Sequence, residues 1–119
     1  MAKHYDFGIE GEKIATDYLL KKGYTIRERN WRYKKAEVDI IAERDEILAI
    51  IEVKTRSSNY FGNPQDFVNQ KKIQLLTEAI NEYVNKYDLD VEVRFDIIAI
   101  LKNQHKFEIE HLEDAFLHF

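Results

Sequence analysis

The sequence predicts a single α/β domain in which amphipathic helices alternate with strands rich in Ile and Val. Residues 5–22 and 64–87 repeat apolar side chains at helical spacing. Residues 37–41, 48–53 and 91–101 are instead dense in β-branched residues and read as strands buried on at least one face. At 119 residues the chain is long enough for one core and too short for two.

The first helix carries Phe7, Gly11, Ile14, Ala15, Tyr18 and Leu19 on its inward stripe and ends at Gly23. Glu12 lies on the edge of that stripe, where an acid either reaches a solvent edge or points into a polar site. A first strand follows over residues 24–33 and leads into a basic corner of Arg27, Arg29, Arg32, Lys34 and Lys35, with Trp31 and Tyr33 between them. Basic residues interleaved with aromatics suit phosphate contact and base stacking. A solvated strand edge guarded by charge has the same composition.

Next come the two runs Glu37-Val38-Asp39-Ile40-Ile41 and Ile50-Ile51-Glu52-Val53-Lys54-Thr55-Arg56, which set three acids and a lysine among apolar neighbours. Alternation sends Leu48, Ile50, Glu52 and Lys54 to one face, and Ala49, Ile51, Val53 and Thr55 to the other. A turn centred on Asp45 and Glu46 pairs positions whose numbers sum to 91, which sets Asp39 opposite Glu52. Their Cβ atoms would then lie roughly 5 Å apart. Two carboxylates so close repel unless a proton or a cation sits between them. Mg²⁺ uses one or two protein carboxylates and leaves its other positions to water or a substrate phosphate. A neighbouring lysine could hold the attacking water or stabilise charge on the phosphate. A slip of one residue would move Asp39 to the other face, and cross-strand acids and bases also occur on plain solvated faces.

Residues 57–64 form a loop with Gly62 and the only proline, and the second helix follows. Lys71 and Lys72 near its start oppose the helix dipole, which suits either a phosphate contact or ordinary solvation. Residues 91–101 alternate Val93, Phe95, Ile97, Ala99 and Leu101 against Arg94, Asp96, Ile98 and Ile100. Residues 107–109 add an edge strand, and residues 115–119 form an apolar tail that must pack on the core or on a second subunit.

Composition removes several classes. The absence of cysteine excludes disulfides, thiolate zinc sites and cysteine nucleophiles. His4, His105, His111 and His118 have no ligand spacing, and there is no glycine-rich phosphate loop. No apolar run reaches transmembrane length and the start lacks a signal segment, so the expectation is a cytoplasmic protein with no membrane partner. A net charge of −4 opposes indiscriminate nucleic-acid binding, yet residues 88–119 alone hold 8 acids against 3 bases. The rest of the chain is close to neutral, so local patches matter more than the total.

The order helix, three strands, helix, strand, with Asp39 and Glu52-Val53-Lys54 on the second and third strands, resembles the PD-(D/E)xK nucleases of restriction-endonuclease-like fold. More closely, the chain resembles the YraN-like family of small bacterial proteins. The match is carried by Gly8, Gly11-Glu12 and Ala15, Gly23-Tyr24, Asn30, Arg32, the block from Glu37 to Ile41, and Glu52-Val53-Lys54-Thr55-Arg56. It continues through Gly62, Lys72 and Ala79 to Arg94-Phe95-Asp96. The resemblance implies one nuclease-like domain over residues 1–119, with a central mixed β-sheet flanked by helices. Its core would be α-β-β-β-α-β, like that of Holliday-junction resolvases.

The resemblance further implies a Mg²⁺- or Mn²⁺-dependent nuclease that hydrolyses phosphodiester bonds in DNA, branched or processed DNA included. Asp39 and Glu52 would be the metal ligands, Lys54 the catalytic lysine, and Glu12 the helix acid supporting the site. Glu37 and Arg56 match without an assigned role. Arg27, Arg29, Arg32 and Lys72 are candidate phosphate contacts. Ala36 stands where the family usually has glycine, a departure that touches no catalytic group. The competing expectation is an inactive module of the same fold that binds nucleic acid or a protein partner. A homodimer is open under either.

Overall fold

Helix α1 (Lys3–Lys21) leads into strands β1 (Thr25–Tyr33), β2 (Ala36–Arg44) and β3 (Ile47–Arg56), then helix α2 (Gln70–Lys86) and strands β4 (Glu92–Asn103) and β5 (Lys106–Leu112). This is a computed structural model that describes residues 3–56, 69–103 and 106–115. The expected loop over residues 57–64, Phe67, the side chains of His4 and Phe7, and His105 and residues 116–119 of the tail, His118 included, lie outside what is described.

The strands form one sheet in the order β1-β2-β3-β4-β5. Neighbours are antiparallel except β3 and β4, which run parallel. A parallel pair cannot be closed by a tight turn, and α2 lies in the connection that closes it. The sheet is therefore mixed, as expected. Ala15 and Leu19 of α1 cover one face against Ile40, Ala42, Ala49, Ile51, Ile98 and Ile100. Leu76, Ala79, Ile80 and Tyr83 of α2 cover the other against Ile41, Leu48, Ile50 and Ile97. The alternation read for β3 and β4 holds: even and odd positions separate onto the two helices.

The local signals act where chemistry requires. Gly23 takes φ +91, and Tyr24 N–H donates to Leu19 O and Gly23 N–H to Leu20 O. That is the Schellman arrangement, which favours glycine at the left-handed position. Asp45 and Glu46 both have positive φ, 52 and 64, as a type I′ hairpin turn requires. The second helix begins later than its periodicity suggests. Asn69 is extended, and its side chain accepts the Lys72 N–H at 2.8 Å, so it caps α2 and the helix cannot run through it from residue 64.

Gly11 marks a close approach of α1 to Thr55 of β3. A Cβ added there would lie 3.0 Å from Thr55 Cγ2 and closer still to Thr55 Oγ1. Threonine is stiff about χ1, so the helix would have to move. Gly11→Ala is expected to lower stability by about 1–2 kcal/mol despite alanine's better helix propensity. Thermal unfolding reads this directly, and a stabilised variant would show that the helix has room to retreat.

Candidate active site

The β2–β3 ladder keeps the predicted register, from Arg44↔Ile47 to Ile40↔Ile51. It stops one pair short of Asp39 and Glu52. The side-chain oxygen Asp39 Oδ2 instead accepts the Val53 N–H at 2.8 Å, in place of the expected direct opposition. The physical reason lies on both strands of the neighbouring hairpin. Ala36 and Val38 face α2 whereas Ile40 and Ala42 face α1, so alternation slips by one at Asp39. Across from it Asn30 takes φ 53, and the β1–β2 ladder passes over both residues. Asp39 is left where β2 and β3 part, within electrostatic reach of both faces.

Asp39, Glu52, Lys54 and Lys72 share one open cavity of about 470 Å³, together with Lys35 and Glu37. Glu52 is paired with two lysines in it. Lys54 Nζ lies 3.0 Å from Glu52 Oε2, and Lys72 Nζ makes an ion pair with Glu52 Oε1. Its side chain is only 13% exposed. Glu52 Oε2 is sealed from solvent and, among the described residues, receives no directed hydrogen bond, so the Lys54 contact is an ion pair without that geometry.

Burial pushes the Asp39 carboxyl up to about 6, against a partial opposing pull from the Val53 N–H. Glu12, Glu52 and Glu37 add further upward pressure, Glu12 most among the three. Glu12 thus sits close enough to Asp39 to be felt, although it projects from α1. Its carboxylate is 3.9 Å from the Arg29 guanidinium. The Asp39 and Glu52 carboxylates are hard oxygen donors, the kind that Mg²⁺ and Mn²⁺ take. Among the described residues no three Asp, Glu, His or Cys side chains are drawn into a metal cage. Two carboxylates with room for water and phosphate still fit such an ion.

The predicted phosphate contacts are dispersed. Arg27 bonds Glu43 at 3.0 Å and the Tyr83 hydroxyl at 3.0 Å. Arg29 turns to Glu12, Arg32 pairs with Glu37 at 2.9 Å, and Lys72 is held by Glu52. Arg56 donates to the Thr55 carbonyl. Trp31 and Tyr33 stack on each other but are partly buried against the α2 side, with Trp31 edge-on to Tyr83.

Sequence reasoning missed a second polar centre. Asp96 is fully buried. It accepts from Arg94 Nε and Nη2, both at 2.9 Å, contacts His111 Nε2 at 2.8 Å, and accepts the Asp114 N–H. Arg94 reaches the Tyr24 hydroxyl at 2.6 Å and His111 the Tyr18 hydroxyl at 3.0 Å. Burial would lower the Arg94 pKa, but its bonds to Asp96 and Tyr24 outweigh that and raise it. The available signal was alternation, which put Arg94 and Asp96 on the face of the apolar Ile98 and Ile100.

A family model described as "Uncharacterised protein family UPF0102" matches residues 11–100. The chain belongs to this family. It is 60% identical over 119 residues to a UPF0102 protein of Flavobacterium psychrophilum, covering 100% of both chains. It is 58% identical over 119 residues to a UPF0102 protein of Christiangramia forsetii, again with 100% of both covered. A UPF0102 protein of Phocaeicola vulgatus is 49% identical over 116 residues, covering 98% of this chain and 96% of that one. The YraN-like resemblance is borne out by these matches. The UPF0102 region takes in Glu12, Asp39, Glu52, Lys54, Lys72 and Asp96. Among the described residues no helix is long and apolar enough to cross a membrane.

Proposed function

We propose that this UPF0102 protein is a divalent-metal-dependent nuclease that hydrolyses phosphodiester bonds in DNA, branched or processed DNA included. The observation that carries the reading is the meeting of Asp39, Glu52 and Lys54 in one cavity at the parting of β2 and β3. The element order, with two acids and a lysine on the second and third strands, agrees with the nuclease resemblance.

Asp39 and Glu52 would hold the ion, Mg²⁺ or Mn²⁺, which when bound supplies a more acidic water and neutralises phosphate charge. The rest falls to the chain. The Val53 N–H fixes the Asp39 carboxylate, and Lys54, anchored beside Glu52, presents an ammonium to the attacking water or the phosphate oxygens. Glu12 raises the local negative potential, which holds a proton on Asp39 and would attract a divalent cation in proportion to its larger charge. A buried Glu52 oxygen that receives no directed hydrogen bond from the described residues is the kind of acceptor a metal would satisfy.

The test pairs metal calorimetry with cleavage. Lys54→Ala is expected to keep the fold and Mn²⁺ binding but to lose about 10²–10⁴-fold in cleavage rate. Equal cleavage by the variant would remove Lys54 from its role. Glu52→Gln should abolish Mn²⁺ binding.

The pairing of Glu52 with two lysines favours a second reading, a non-catalytic module of the same architecture that binds nucleic acid or a protein. Such a module would bind neither Mn²⁺ nor Mg²⁺ in the wild type. If it also lacked salt-dependent binding to single-stranded, duplex and junction DNA, a protein partner would be favoured.

A further inference from the structure

Lys72 stands in an unfavourable place that its partner explains. It is the third residue of α2, whose first turn contains no acid. The positive end of the helix dipole disfavours a cation there. Its backbone is fixed, because its N–H donates to the Asn69 cap at 2.8 Å. Its side chain, 32% exposed, leaves the helix and crosses to β3 to meet Glu52 Oε1. Leu76, one turn later, is buried in the core that α2 shares with the sheet, so the helix holds this ammonium over the cavity.

From this we infer that Lys72 is an internal counter-ion that occupies Glu52 until a divalent ion takes its place, and then turns to the substrate's phosphodiester. The inference rests on the nuclease reading of the same site. A metal ion and the Lys72 ammonium compete for one carboxylate. When the ion wins, Lys72 is left charged beside a helix N-terminus and is better placed with an anion. Phosphodiester binding and metal binding are then coupled through one side chain, and the coupling must be reciprocal. The metal strengthens DNA binding, and DNA strengthens metal binding by the same factor.

The experiment is Mn²⁺ calorimetry on the full chain, without DNA, for the wild type, Lys72→Gln, Lys72→Arg and Lys71→Gln. Lys72→Gln is expected to bind Mn²⁺ about tenfold more tightly, the scale of one partly buried ion pair. Lys72→Arg should stay near the wild type. Lys71→Gln removes the same charge one residue earlier and should change affinity far less, since Lys71 is exposed. Fluorescence anisotropy with a 12-base-pair duplex adds the second arm. Mn²⁺ in place of EDTA should strengthen duplex binding by the wild type, and Lys72→Gln should lose most of that gain.

If the wild type binds Mn²⁺ and Lys72→Gln binds it equally or more weakly, the counter-ion role is overturned while the nuclease reading stands. An equal gain in Lys71→Gln would likewise overturn it, by assigning the effect to bulk charge. If neither the wild type nor Lys72→Gln binds Mn²⁺, the nuclease reading and this inference fall together. Circular dichroism checks that each variant is folded, and Lys72→Met repeats the measurement should Lys72→Gln unfold.

Discussion

Asp96→Ala is expected to cost about 4 kcal/mol of stability, because it leaves the buried Arg94 guanidinium and the His111 ring without their acceptor. Asp96 is fully buried, and the side chains of Arg94 and His111 are only 12% and 9% exposed. Breaking a buried pair from one side is far worse than replacing both partners, since the survivor keeps its desolvation cost. The damage would spread along the connections Asp96 makes. Through His111 it joins β4 to β5 and to Tyr18 of α1, through Arg94 to Tyr24, and through the Asp114 N–H to the turn after β5.

Natural domains hold only about 5–15 kcal/mol in reserve, so the variant should approach the edge of folding. A melting temperature lower by about 10–20 °C, with a matching loss in denaturant midpoint, is the expected reading. The folded fraction should still bind Mn²⁺ as the wild type does, since Asp96 does not line the cavity. A loss below about 1 kcal/mol would mean that water replaces the carboxylate, and that the network is not a structural tie.

What the sequence could and could not reveal follows the range of the interactions. The β2–β3 register was legible because Asp45 and Glu46 sit between two apolar runs, and a turn with positive φ at both residues admits one pairing. The end of α1 was legible because Gly23 follows the last periodic residue. That register was enough to bring Asp39 near Glu52 and Lys54, though not into direct opposition. The slip at Asp39 was not legible, since asparagine's tolerance of the left-handed region does not by itself place Asn30 at φ 53 within a strand. Neither was the grip of Lys72 on Glu52, which depends on how α2 docks rather than on its own pattern. The arginines illustrate the same limit. Their positive charge is written in the chain, but the carboxylates that absorb it on Arg27, Arg29 and Arg32 are supplied by folding.

The candidate metal ligand should itself destabilise the metal-free protein. Asp39 titrates near 6 in the folded state against an ordinary value of 3.8. A raised folded value means that the native state binds the proton more tightly than the unfolded chain does. Stability is therefore highest below the unfolded value and falls as pH rises through the folded one. The window runs from about pH 4 to pH 6, and the ionised carboxylate costs about 3 kcal/mol above it. Asp39→Asn removes the charge and keeps an oxygen for the Val53 N–H, although a neutral acceptor bonds more weakly.

In EDTA at pH 8, the variant is therefore expected to be more stable than the wild type by about 2 kcal/mol, and the advantage should vanish by pH 4. Mn²⁺ should then reverse the order. An ion that binds only the folded wild type at a hundredfold excess over its Kd adds about 2.7 kcal/mol, while a variant that cannot bind it gains nothing. Denaturant unfolding at pH 4 and pH 8, each with EDTA and with Mn²⁺, separates the cases. A purely structural aspartate would give a less stable asparagine variant in every condition. A stabilised variant that is indifferent to Mn²⁺ alongside an equally indifferent wild type would leave the carboxylate cluster strained without a cation to relieve it. Only the crossing of the two curves on adding Mn²⁺ joins the strain at Asp39 to a metal site, because a group held at a cost in the empty protein is the expected mark of a functional one.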